Sequence, residues 1–218
     1  MQAQDIITKV QGILLDSSGD RWLDTELLGY LNMAIKQTII LKPDASTKTE
    51  AVQLVSGTRQ SLPATGYQLI DVIRNMGADG NTPGRIVRLL RRQTLDNSDP
   101  DWHTTENAVV QHYTYDEREP RNFYVYPGQP ATPSYVELGY SYFPAELTAT
   151  TDSVPLGAEY EGCLLDYMLA RAFMKDADNP SYQQRAITHI NSFTQALGAQ
   201  DKVEQINSPN IIERTIGA

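Results

Sequence analysis

The chain has 218 residues, of which 40% are hydrophobic, and it carries a formal charge of −9 at pH 7. This length holds one large domain or two small ones around an ordinary hydrophobic core. The acidic balance argues against a protein that wraps nucleic acid by neutralising phosphates, because that mode of binding needs a basic surface.

Two amphipathic helices are predicted at the N-terminus. Apolar residues recur at helical spacing over residues 3–15. A second helix is predicted to begin with Asp24 as its N-cap, and Leu23 and Leu28 have the spacing of a hydrophobic staple. Pro43 is expected to end this helix, because the residue before a proline is driven away from the helical conformation.

The middle of the chain has the alternating pattern of β-strands. Residues 50–62 predict a β-hairpin, and further strands are predicted over residues 69–75 and 85–90, on either side of a glycine-rich loop at residues 77–84. Tyrosines and branched residues alternate along three segments of residues 108–143, which predicts three antiparallel strands.

Two helices are predicted near the C-terminus as an antiparallel hairpin. Residues 159–177 are apolar nearly all round, so this helix must be covered on several sides. Asn179 is interpreted as the N-cap of the next helix and Pro180 as its first residue, while Gly198 is expected to end it. Residues 200–218 have no sustained period and predict an extended arm.

The predicted fold class is therefore α+β. A four-helix bundle is expected from residues 1–49 and 154–199, and it holds a β-rich antiparallel insertion at residues 50–153. The extended C-terminal arm occupies residues 200–218.

No stretch has the residue types and spacing of a catalytic, metal or cofactor site, so none is predicted. The single cysteine, Cys163, is expected to be a buried thiol, and the three histidines have no second ligand at close spacing. Residues 16–20 are similar to the start of a calcium loop, but Arg21 stands where that loop needs glycine. The loop at residues 77–84 lacks the Lys-Ser/Thr pair of a phosphate-binding loop.

A cluster of four arginines in this acidic chain predicts a docking surface for an acidic partner or a neighbouring subunit. The cluster consists of Arg85, Arg88, Arg91 and Arg92. The alternative is local pairing with Asp96, Asp99 and Asp101, and the sequence leaves both open.

A second surface is predicted on the tyrosine-rich strands. Tyr124 and Tyr126 alternate with Phe123 and Val125, so the two tyrosines are expected on the opposite face of the sheet. That face is either a contact between subunits, which we favour, or is covered by the helices.

Eight strings of residues, taken together, carry a resemblance to a known family. They are Asp24–Asn32, Lys42–Asp44, Leu54–Pro63, Arg74–Gly77, Asp99–Trp102, Asp116–Pro127, Leu165–Ala172 and Lys175–Ala177. These strings resemble the phage adaptor proteins, the head-to-tail connectors of tailed bacteriophages. In outline, the chain is also similar to the tail tubular protein A class of short-tailed phages. The match extends from the N-terminus to about Leu197.

The resemblance implies a structural protein of the virion neck with no catalytic residue. It implies a ring, commonly a dodecamer, that sits beneath the portal protein, binds a tail or nozzle protein, and lets genomic DNA pass during ejection without specific binding. Portal binding is assigned to the isoleucines of the arm from the connector class and from their lack of periodicity. These are Ile206, Ile211, Ile212 and Ile216.

Two other functions stay open. One is another neck or tail-completion protein of the same virion, such as a tail terminator. The other is a small enzyme that uses residues 77–84 and the carboxylates of residues 116–119 with a nucleotide or a divalent metal. The apolar runs are too short to cross a bilayer and no signal pattern is present, so we expect a protein made in the host cytoplasm without a membrane partner.

Overall fold

The computed structural model describes residues 1–175 and 180–207, with side chains described up to residue 200. The chain divides into two compact units. The helical unit contains Met1–Lys42 and the chain from Ala145 onward, and the β unit contains Pro43–Pro144.

The α-helices are α1 (Ala3–Leu14), α2 (Asp24–Leu41), α3 (Arg92–Ser98), α4 (Glu161–Met174) and α5 (Pro180–Asn207). The strands are β1 (Thr47–Gln53), β2 (Gly57–Ser61), β3 (Gly66–Asn75), β4 (Arg88–Leu89), β5 (His112–Tyr115), β6 (Asn122–Gln129) and β7 (Tyr135–Tyr142).

The helical unit is organised around α4, whose apolar residues are buried on several sides, as predicted. The helix α5 runs antiparallel to α4. Tyr167 of α4 packs edge-on against Phe193, with ring centroids 5.3 Å apart, and Phe173 packs against Tyr182 at 5.6 Å. Both α1 and α2 also pack against α4. This central helix therefore supplies the apolar surface that the other three helices share.

The predicted four-helix bundle is wrong. In such a bundle the helices pack side by side around one common core. Here α5 packs along α4 and, within the described residues, forms no comparable interface with α1 or α2. The four helices also differ in length, with 12, 18, 14 and 28 residues. An apolar stripe shows that a helix must be covered, but it does not identify the helix that covers it.

The predicted end of the last helix and the predicted start of the extended arm are also wrong. The helix α5 continues through Gly198 to Asn207, so Gly198 does not end it and the chain is not extended from residue 200. One interior glycine costs a helix about 1 kcal/mol relative to alanine, which tertiary packing readily offsets. Asn179, the predicted N-cap, and residues 208–218 lie outside the described residues.

The start of α2 differs from the predicted cap. Asp24 Oδ1 accepts a hydrogen bond from Gln11 Nε2 of α1 at 2.7 Å and does not cap its own helix. Leu23 is 58% exposed, so it forms no hydrophobic staple with buried Leu28. The tertiary bond to α1 therefore replaces the local cap.

The β unit contains two sheets around one apolar core. One sheet has the strand order β1-β7-β3 and the other β2-β6-β5-β4. All pairings are antiparallel except that of β4 with β5. The core includes Val72, Phe123, Val125, Leu138 and Tyr140, each of which is at most 1% exposed.

The predicted strand partners are wrong in two places. The segments β1 and β2 form no hairpin, because β1 pairs with β7 and β2 pairs with β6. Val55 lies between β1 and β2. Its N–H donates to the buried Gln60 side chain of β2 and its carbonyl accepts from the same side chain, both at 2.7 Å, where a hairpin needs cross-strand backbone bonds. Likewise β7 leaves β6 and lies between β1 and β3, so residues 108–143 do not form one three-stranded sheet.

Candidate functional site

A basic and apolar surface surrounds β4 at the edge of the four-stranded sheet. This β4 surface consists of Arg85, Ile86, Arg88, Leu89, Arg91 and Val109. The three aliphatic side chains are 54%, 64% and 44% exposed, in chain order. The three arginines are exposed too, and their guanidinium groups form no hydrogen bond or ion pair within residues 1–175 and 180–200. Charged and apolar groups are thus both available to a partner.

Local ion pairing accounts for only one of the four predicted arginines. Arg92 Nε lies 3.4 Å from Asp96 Oδ2, one turn further along α3. The other two candidate acids, Asp99 and Asp101, form no ion pair with any residue that the structure describes. Local pairing therefore holds for Arg92, while the arginines of the β4 surface remain unpaired. Their role between subunits stays a prediction.

The buried side chain of Asn75 fixes the backbone that carries the β4 surface. Its Nδ2 donates to the carbonyl oxygens of Arg85 and Val110, each at 2.8 Å, and its Oδ1 accepts from the Val110 N–H at 2.8 Å. Asn75 is only 5% exposed, so water does not compete for these bonds. Sequence reasoning missed this residue, because a single asparagine at a strand end is equally typical of a turn.

The face of β6 that carries Tyr124 and Tyr126 is partly covered by the same chain. A short 3-10 helix, Trp102–Thr104, which we call the Trp102 turn, places the Trp102 ring edge-on to both tyrosines, with centroids 6.2 and 6.4 Å apart. The indole N–H donates to Asp96 Oδ1 at 2.9 Å. Both tyrosines remain half-buried. A short turn therefore covers part of this face, and the favoured subunit contact at these tyrosines stays a prediction.

An acidic surface lies beside the Trp102 turn. It consists of Asp99, Asp101 and Glu106. The first is half-buried and the other two are exposed, and none of the three carboxylates has an ion-pair partner in the described part of the chain. The Trp102 turn packs against β6 and β2, whereas β4 lies two places from β6 in the strand order β2-β6-β5-β4. No ion pair joins the acidic surface to the β4 surface within the described residues.

The glycine-rich loop at residues 77–84 closes on its own acidic side chain. Asp79 Oδ1 accepts hydrogen bonds from the backbone N–H groups of Asn81 and Thr82, at 3.0 and 3.1 Å. The Asn81 bond is the largest cause that lowers the pKa of Asp79, so the carboxylate is held in its charged form. A negative charge that takes up the loop amides opposes phosphate binding.

The carboxylates of residues 116–119 line an open depression of about 530 Å³ together with Arg92, Arg118 and Tyr124. Asp116 accepts from the Arg118 backbone N–H at 3.0 Å, and Glu119 lies 3.9 Å from Arg59. Among the described residues, no group of three or more His, Cys, Asp or Glu side chains is arranged to hold a metal ion. An ordinary turn bond accounts for Asp116 and a surface ion pair for Glu119.

Comparison with known families identifies the chain. The model of the SU10 adaptor protein family matches residues 1–213. The chain belongs to this family. It is a phage head–tail adaptor family, which confirms the resemblance drawn from the sequence and makes the chain a structural component of a phage virion. A search of curated proteins found no match. None of the described helices of this adaptor is long and apolar enough to span a membrane.

The remaining predicted residues of the adaptor are the four portal-binding isoleucines and Cys163. Ile206 lies in α5, whereas Ile211, Ile212 and Ile216 are outside the described residues, so portal binding stays a prediction for all four. Cys163 is 2% exposed, and burial raises the pKa of its thiol, which keeps it in the less reactive protonated form.

Proposed function

We propose that the chain is a head-to-tail adaptor that forms an oligomeric ring, a dodecamer, beneath the portal. In this role it joins the capsid to a tail or nozzle protein and lets the genome pass during ejection. The observation that carries the proposal is the match of the SU10 adaptor family over residues 1–213. The carboxylates of Asp79, Asp116 and Glu119 are engaged by local bonds, which favours a structural role over an enzymatic one.

A ring requires that each copy present two different surfaces that meet head to tail. The proposed subunit contacts include Arg85, Arg88, Arg91, Arg92, Tyr124 and Tyr126. The unpaired arginines and exposed aliphatic side chains of the β4 surface support this role, since arginine and apolar groups are enriched where proteins bind each other.

Portal binding is proposed for the end of the chain, through Ile206, Ile211, Ile212 and Ile216. Gln200 of α5 donates a hydrogen bond to the carbonyl of Glu159 at 2.9 Å, next to the start of α4. The helix α5 continues for seven residues beyond this point, which is a rise of about 10 Å. This geometry supports a terminal segment that reaches away from the α4 contact toward a partner.

The proposed passage of DNA needs no specific binding site. A formal charge of −9 repels the phosphate backbone, so DNA that passes an acidic protein slides and is not retained. The arginines of the β4 surface are better suited to a protein partner, because exposed aliphatic side chains accompany them.

Electron microscopy of the full chain mixed with the portal protein of its phage tests the proposal. We expect a ring on the face of the portal that points away from the capsid. A chain that stays monomeric and shows no affinity for the portal in any assembly state would contradict it. A ring that occurs lower in the virion, without portal contact, would instead indicate another neck or tail-completion protein.

A further inference from the structure

We infer that the β4 surface of one copy docks on the acidic surface of a second copy, and that this contact repeats around the ring. The inference rests on the proposed ring and names the two surfaces that close it. It involves the arginines and aliphatic side chains around β4 on one side, and the carboxylates beside the Trp102 turn on the other.

The β4 surface has the composition of the centre of a protein interface. Ile86 and Leu89 are 54% and 64% exposed, so water covers large aliphatic groups that gain free energy when a partner buries them. The guanidinium groups on either side have no ion pair within the described residues. A partner surface must therefore offer apolar contact and negative charge together.

These aliphatic side chains also favour a protein partner over DNA. Contacts to the DNA backbone join cationic side chains to phosphate oxygens and do not bury isoleucine or leucine. With two large aliphatic side chains more than half exposed between the arginines, DNA would leave the apolar part of the β4 surface in water. A folded protein surface covers both parts.

The acidic surface is suited to receive this partner because it is rigid. Trp102, which anchors the adjacent turn, is 1% exposed and hydrogen bonded to Asp96. The neighbouring His103 stacks on Trp102 with centroids 3.7 Å apart, and its Nδ1 lies 2.8 Å from Thr58 Oγ1. The carboxylates beside the turn are thus held on a fixed backbone, where Asp101 and Glu106 are exposed and Asp99 is half-buried.

The positions of the two surfaces make their contact directional. The β4 surface surrounds the end strand of the sheet, and the Trp102 turn packs on β6 and β2 of the same sheet. The charges of the two surfaces form no ion pair with each other within the described residues, and the same contact repeated by rotation leaves both surfaces of every copy occupied once the ring closes. Each copy supplies both partners in equal number, which is why we assign the occupant as a second copy and not the portal.

Charge reversal provides the first test, with the full chain assembled on the portal. The double variant Arg88→Glu/Arg91→Glu reverses the β4 surface, and Asp101→Arg/Glu106→Arg reverses the acidic surface. We expect each to lose at least tenfold in ring assembly, because like charges then face each other. An equimolar mixture of the two should restore assembly, and so should the fourfold variant.

Arg59→Glu/Arg118→Glu is the matched control for the β4 variant, since it makes the same change in net charge elsewhere on the β unit. The inference would be overturned if either double variant assembles like the natural chain. It would also be overturned if the mixture and the fourfold variant remain defective.

Photo-crosslinking provides the second test. A benzophenone side chain at Leu89 should crosslink to residues 99–106 of another copy, whereas the same group at Val55, which is 58% exposed, should not. Crosslinks from Leu89 to the portal or to DNA would overturn the inference even where a ring is seen, and the proposed function would stand. If the natural chain forms no ring at all, both the proposed function and the inference fail.

Discussion

The two units of the molecule are stabilised in different ways. The helical unit is built from apolar packing against one central helix, with Met168, Leu169 and Phe173 of α4 at most 5% exposed. In the β unit, buried amide side chains also bond the backbone of neighbouring segments, as with Asn75 and Gln60. Packing of the first kind tolerates changes of partner, whereas hydrogen bonds of the second kind specify one partner. We therefore expect substitutions to act globally in the helical unit and locally in the β unit.

The largest effect is expected from Phe173→Ala. This side chain packs against Tyr182 and stacks on His189, with ring centroids 5.6 and 5.7 Å apart. Its removal should lower the free energy of unfolding by about 3–5 kcal/mol. Urea denaturation measures this value, and Met174→Ala, at a neighbouring side chain that is 44% exposed, is the matched control. A loss below about 1 kcal/mol would show that α5 does not bury this residue.

A smaller and more local effect is expected from Asn75→Ala. The substitution leaves the N–H and the carbonyl oxygen of Val110 without their side-chain bonds and removes one of the two bonds to the Arg85 carbonyl, which should cost about 2–3 kcal/mol. Hydrogen exchange should show faster exchange in β4 and β5 than in the helical unit. Asn81→Ala, in an exposed loop, should leave exchange in these strands unchanged. Uniformly faster exchange throughout the chain would contradict the local character that we assign to this bond network.

A modest pH effect is expected in the helical unit. Lys175 Nζ donates to Glu26 Oε2 at 2.7 Å, and this bond is the first cause that lowers the pKa of Glu26. Because the pKa is lowered in the folded chain, the stabilisation is present above the ordinary glutamate range and is lost as the pH falls through the folded value. We expect about 0.5 kcal/mol, since the pair is partly exposed.

The variant Glu26→Gln should remove this part of the pH dependence. Melting temperatures measured from pH 7 down to pH 3 would show it as a smaller decline than in the natural chain. Glu117→Gln changes the same charge in the β unit, where the side chain has no ion-pair partner among the described residues. Equal curves for Glu26→Gln and the natural chain would show that the Lys175 pair contributes nothing.

The smallest effect on stability is expected from truncation at the C-terminus. Removal of residues 208–218 should change the melting temperature by less than about 2 °C, because chain ends add little to a packed core. The same truncation should weaken attachment to the portal if the isoleucines bind it. A second truncation that removes residues 201–218 also takes the last seven residues of α5. A large loss of stability on removal of residues 208–218 would show that these residues belong to the core.

The sequence predicted the helices and strands better than their partners. The periods that marked α1, α2, α4 and β3 depend on which face of each element is buried, and that information is local. The partner of β1 is β7, far away in sequence, and the Gln60 side chain bonds the backbone of Val55 just after β1, but no local pattern in the sequence marks either contact. For the same reason Asp24 was predicted as a cap, although it binds Gln11 of another helix.

The candidate surfaces were predicted in part. The arginine cluster was visible as an excess of charge in an acidic chain. Among the described residues, one of the four arginines has an ion pair and three have none, because α3 brings Asp96 to Arg92. The exposure of Ile86 and Leu89 was not predicted, because an apolar residue in a strand is expected to face the core.

The place of β7 in its sheet has a consequence for how such proteins diversify. Thr47, at the start of β1, is paired with Ser141, near the end of β7, so the chain enters and leaves the β unit on adjacent strands about 5 Å apart. A domain whose two ends lie together can be exchanged as a cassette, since recombination needs to preserve only one short gap. Related viruses therefore have a simple route to graft a new β unit onto an inherited helical scaffold.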